Sequence, residues 1–136
     1  MKKTLIITLF LCYAGIFILA SNLKLDSEKE ISYIVKATMY TIDKKQTDSS
    51  PLVTASGFNL HPTNPKKHRI IAISRDLSDS INFGSKVRLE NAGEYSGEYI
   101  VEDVMNKRFK KRIDILINPK DRAISFDSVK LVLIKN

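Results

Sequence analysis

Residues 101–114 read VEDVMNKRFKKRID. Two apolar, strand-like runs meet here: YIVED, ending at Asp103, and RIDILI, which holds Asp114. Between them NKRFKKR carries five cations in seven residues. β-Branched and aromatic residues on both sides of a polar turn read as strand, turn, strand. RIDILI alternates, so Ile113, Ile115 and Ile117 share one face and Arg112, Asp114 and Leu116 share the other. With the isoleucines in a core, Asp114 points out of it, onto a surface or into a groove. In YIVED the same alternation sets Asp103 on the face of Tyr99 and Val101, at the strand's end.

The strand-like bias continues on either side. YIVKATMYTI, RIIAIS, NFGSKVRLE and the closing VKLVLI all read as strands. LVTASGFNL reads as a short strand or an extended turn around Gly57. DKKQTDSS and HPTNPKKH read as polar loops. RDLSDS predicts a helical turn, and NPKDRAIS a short helix capped by Asn118 before Pro119. Six or seven short strands point to an all-β closed barrel or sandwich, and a barrel leaves no exposed edges. Asp76 falls just beyond RIIAIS. Strand ends and the loops after them often carry function on rigid β scaffolds.

A chain of 136 residues holds one compact domain. Its formal charge of +7 is +5 without Lys2 and Lys3, an excess suited to an anionic partner. The one cysteine, Cys12, lies in the N-terminal apolar run, so the folded part has neither disulfide nor thiol chemistry. His61 and His68 stand in no ligand array, and no metal or other cofactor is expected. KRFKKR interleaves only Phe109, whereas single-strand binding needs several stacking aromatics, so no nucleic-acid partner is expected.

The start, MKK followed by the uncharged TLIITLFLCYAGIFILA, has the form of an export signal. Residues 1–20 read equally as a cleaved signal peptide or as an apolar helix anchoring the chain through residues 4–20. The lysines would stay in the cytoplasm and the domain would face the other side. Residues 21–30 read as a linker and 31–136 as the domain, expected to be a monomer.

Each acid has a plain structural role open to it. Asp76 suits a cap for a helical turn. Asp103 suits an acceptor for the following loop. On composition alone, Asp114 is best read as the partner of Arg112, Lys110 or Lys111 in an ion pair.

Taken together, VKATMYT, QTDSSPLVTASG, IAISRDL, FGSKVRL, YIVEDVMNKRFKKRIDI and VKLVLI resemble the three-aspartate (3D) domain family, in its order, over about residues 34–134. The family's three aspartates match Asp76, Asp103 and Asp114. Departures occur after the first and second, where Leu77 and Val104-Met105 replace a common Pro and Thr-Gly. The resemblance implies a six-stranded double-psi β-barrel with one or two short helices. It also implies kinship with the catalytic domain of membrane-bound lytic transglycosylase A and the stationary-phase-survival-like muralytic proteins. Those enzymes cleave the β-1,4 bond from N-acetylmuramic acid to N-acetylglucosamine in peptidoglycan and leave 1,6-anhydro ends. By resemblance, Asp114 is the catalytic acid, Asp103 lies beside it, Asp76 supports them, and Thr38 and Thr54 line the groove. The partner implied is the peptidoglycan strand, in the periplasm or at a membrane facing it. One carboxyl acting as acid and then base needs a raised pKa, which burial and a second carboxylate supply. Arg112 is then expected to turn toward the anionic groups of the wall.

Overall fold

The computed structural model describes residues 29–43 and 50–135. The apolar run 4–20, with its proposed helix, lies outside them. No helix among the described residues is long and apolar enough to cross a membrane.

Six strands close into a barrel: β1 (Ser32–Tyr40), β2 (Ile70–Ile73), β3 (Lys86–Glu90), β4 (Gly97–Val104), β5 (Arg112–Leu116) and β6 (Phe126–Leu133). Their order around the barrel is β1-β5-β2-β4-β3-β6. β1 and β5 run parallel, as do β2 and β4. The other four pairings are antiparallel. Every strand therefore has two neighbours, and no ladder edge is left for another chain to pair with.

The interior is filled by alternate positions from all six strands. Val35, Ile71, Val87, Val101, Ile113 and Leu131 are among the residues that meet there. Ile113 and Ile115 face this core as the alternation predicts. The third isoleucine, Ile117, also joins it, one residue beyond the end of β5.

A second, smaller cluster sits on the outside of the barrel. Tyr40, Leu60, Ile70, Ala72, Met105 and Leu116 form it, with Phe109 and Ile42 against them. It explains why all four residues of β2, IIAI, are buried. One face looks into the barrel and the other lies under the second cluster, and a strand covered on both faces reads as a continuous apolar run.

The helical structure among the described residues is three single 3-10 turns, at Pro65–His68, Arg75–Leu77 and Gly93–Tyr95. The second matches the turn expected in RDLSDS. NPKDRAIS forms no helix. Asp121 turns back on Asn118 instead: the Asp121 amide donates to the Asn118 carbonyl, and the Asn118 amide donates to Asp121 Oδ2. LVTASGFNL closes as a tight turn with one isolated bridge, Val53 to Asn59.

The alternation predicted for Asp103 fails for a local reason. In the β2–β4 ladder Ile71 pairs with Val101, but Ala72 pairs with Asp103. Glu102 is the extra residue of a β-bulge. The bulge carries Asp103 off the face of Val101 and sets it opposite Ala72, whose side chain belongs to the outer cluster.

Candidate active site

Four strands bring one row of residues together on the outer face. Thr38 of β1 pairs with Asp114 of β5. Asp114 pairs with Ala72 of β2, and Ala72 pairs with Asp103 of β4. The small Ala72 separates the two carboxylates and leaves room above the sheet. Parallel pairing of β1 with β5 and of β2 with β4 is what brings residues so far apart in sequence into one row.

Thr38 Oγ1 donates a hydrogen bond to Asp114 Oδ1 at 2.8 Å. Burial, the dominant influence, pushes the Asp114 carboxyl up to about 6. The Thr38 hydrogen bond and the charge of Arg112 pull it down, and the charge of Asp103 pushes it further up. The ion pair favoured on composition does not form. The Arg112 guanidinium instead lies 4.7 Å from the centre of the Phe109 ring.

Asp103 is held from three sides. Its Oδ1 accepts from the amides of Ala55 (3.1 Å) and Val104 (3.0 Å), and its Oδ2 from the Tyr40 hydroxyl at 3.2 Å. Three donors thus fix the position of this one carboxylate. Tyr40 is nearly buried, and burial together with the two nearby acids raises its phenol well above the usual range. It therefore acts here as a fixed donor. Tyr40 escaped the sequence reading, although it lies two residues after Thr38 and so on the same strand face.

The turn around Gly57 docks on the bulge. Gly57 adopts φ 89°, a left-handed conformation that glycine accepts without strain. Thr54 is buried, and its Oγ1 accepts from the Phe58 amide at 3.1 Å and bonds the Ser56 hydroxyl at 2.9 Å. The Ser56 amide donates to the Glu102 carbonyl at 3.1 Å, and its hydroxyl donates to Glu102 Oε2. Thr54 thus shapes the turn that places the Ala55 amide on Asp103. Ser56 and Glu102 also escaped the sequence reading, because the docking depends on a bulge with no local signature.

Asp76 stands at the start of β5. Its Oδ2 accepts from the Lys111 amide at 2.9 Å. Burial pushes this carboxyl up, but the Ser74 hydroxyl, the Lys111 and Asp76 amides and the charge of Lys110 together hold it below the usual range. The sequence motif thus brings Asp103, Asp114 and Thr38 into one row, with Thr54 in the adjoining turn, and leaves Asp76 to fix the backbone where β5 begins. Among the described residues, no group of His, Cys, Asp or Glu side chains is placed to hold a metal ion.

A scan against family models finds no match for this chain, and a search of curated proteins finds none. The chemistry of the site therefore rests on its own geometry.

Proposed function

We propose that this chain is a peptidoglycan-cleaving lytic transglycosylase of the 3D-domain type, exported to act on the MurNAc-β-1,4-GlcNAc bond. The observation that carries the reading is Asp114: a carboxyl raised to about 6, on an outer face, in one row with a second carboxylate. A group poised near neutrality can give and retake a proton. The order of the six strands, with its two parallel pairs, supports the double-psi form of barrel.

In this mechanism protonated Asp114 gives its proton to the glycosidic oxygen. The bond from that oxygen to C1 of the muramic sugar breaks, and the sugar takes on oxocarbenium character. Asp114, now a carboxylate, accepts the proton of the C6 hydroxyl as O6 closes onto C1. Asp103, kept in place by Tyr40 and the Ala55 and Val104 amides, stabilises the developing positive charge. Thr38 orients the acid. Thr54 and Asp76 keep the groove in shape, and Arg112 faces the substrate from the rim. No cofactor takes part, the acting form is a monomer, and residues 4–20 hold it to the membrane if they are retained.

Asp114→Asn tests this on purified peptidoglycan, with mass spectrometry of the released fragments. Anhydromuropeptides are expected from the native chain and should be at least ~100-fold fewer from the variant, the scale of a lost general acid. Equal yields would remove Asp114 from the chemistry. A second reading, a module that holds glycan strands without cutting them, is favoured by the charge of Arg112, which pulls Asp114 toward its ionised form. Pelleting with wall sacculi without any release of fragments would select it.

A further inference from the structure

The basic turn before β5 is more ordered than a solvated charge run needs to be. Asn106 builds it: its Oδ1 accepts from the Arg108 amide at 3.1 Å and its carbonyl from the Phe109 amide at 3.0 Å. Phe109 packs against the outer cluster that floors the Asp114 row. Two guanidiniums use this one ring, with Arg108 and Arg112 each 4.7 Å from its centre. Neither makes an ion pair with an acid among the described residues. By contrast, Arg88 and Lys130 on the far side of the barrel share Glu30 and Glu90. Arg112 feels the charge of Asp114, which burial leaves partly protonated near pH 6, so two guanidiniums around one ring leave positive charge that an anion would neutralise. Guanidinium forks match planar carboxylates in two-point contact, and an aromatic ring fixes their planes beforehand. Arg112 lies on the strand face of Asp114, two residues away.

We infer that Arg108 and Arg112, held on Phe109, form an anion subsite for a peptide-stem carboxylate of the glycan strand. This rests on the transglycosylase reading for the identity of the strand. It makes the preferred substrate a strand that carries acidic peptides rather than a bare one. Carboxylate is favoured over phosphate because Arg112 stands on the strand face of the acid itself and acts on it, near the muramic sugar from which a peptide stem branches in this reading.

The test uses the full chain carrying Asp114→Asn, so that binding is read without cleavage. Pelleting is compared between intact sacculi and sacculi stripped of stem peptides by an amidase. Intact sacculi are expected to retain the protein about tenfold better, and adding Arg108→Gln and Arg112→Gln should erase that preference. Arg108 is exposed and its guanidinium stacks on Phe109, so Arg108→Gln alone keeps the fold and should remove a measurable part of the preference. Equal retention on both sacculi, or a preference untouched by the Arg variants, overturns the subsite. So does retention that depends on wall phosphate, or tighter retention on a single-stranded oligonucleotide than on sacculi. A stem preference in a native chain that releases no anhydro fragments would keep the subsite and discard the transglycosylase reading.

Discussion

The decisive residue is Asp114, because its environment opposes its charge. Burial raises a carboxyl whose ordinary value is 3.8 to about 6. The folded state then holds a proton that the unfolded chain releases, so stability falls as pH rises from about 4 to about 6. A shift of that size corresponds to about 3 kcal/mol. Asp114→Asn keeps the shape and an acceptor for Thr38 but removes the ionisation. Its melting temperature should exceed that of the native chain by several degrees at pH 7.5 and by little at pH 4. A difference that stays constant with pH would mean that Asp114 is not desolvated. Tyr40 belongs to the same scale. Four side chains act on Asp114 or its neighbour: Thr38, Arg112, Asp103 and, through Asp103, Tyr40. Tyr40→Phe removes one donor from Asp103 and should cost about 1.5 kcal/mol in chemical denaturation. Unchanged stability in the variant would leave the phenol without a role.

At the scale of elements, β5 is the strand whose placement matters most. Lys111, the residue before it, adopts φ 46°, a left-handed conformation unusual for a side-chain-bearing residue. Its amide is taken by Asp76, and its carbonyl accepts from the Lys36 amide at 3.0 Å. Ser74 adds two more ties: its amide donates to the Arg112 carbonyl at 2.9 Å, and its hydroxyl accepts from the Arg112 amide at 3.0 Å. Asp76→Ala leaves the Lys111 amide without this acceptor and should destabilise the domain by about 1 kcal/mol at neutral pH. Because the Asp76 carboxyl is held low, its contribution is present at neutral pH and is lost as pH falls through that lowered value. The loss in the variant should therefore shrink in acid, the opposite of the Asp114 trend. A loss that grows in acid would contradict this assignment. The bulge at Glu102 acts at the same scale. It is one inserted residue, yet it decides whether Asp103 faces the core or the groove.

For the whole molecule, closure is the governing fact. Each strand is held on both sides, so the interior should lose its order as a unit rather than by fraying from one edge. Ile113 is fully buried at the centre of that interior. Ile113→Ala should cost about 3 kcal/mol through lost burial and the cavity left behind. The loss should show equally in tyrosine near-ultraviolet dichroism and in amide exchange of β3, which Ile113 does not pair with. Protection lost around β5 alone would argue against a single cooperative barrel.

Much of this architecture was legible in the chain. The alternation of RIDILI sent Asp114 outward, and the apolar run RIIAIS read as a strand. These are local patterns, set by the two-residue period of a strand, and they survive folding unchanged. What lay beyond them depends on residues far apart in sequence. The bulge is a property of the register between β2 and β4, so YIVED alone put Asp103 on the wrong face. Arg112 stands next but one to Asp114, yet it stacks on Phe109, a choice made by the outer cluster that holds the ring. The raised proton affinity of Asp114 comes from what packs around it, and no sequence spacing encodes that desolvation. The sequence determined the strands, the turns and the outward direction of one acid, because those follow from short-range sterics and hydrophobic period. Only the tertiary structure decided which groups meet that acid and how strongly it keeps its proton, because register and burial arise when distant strands close on one another.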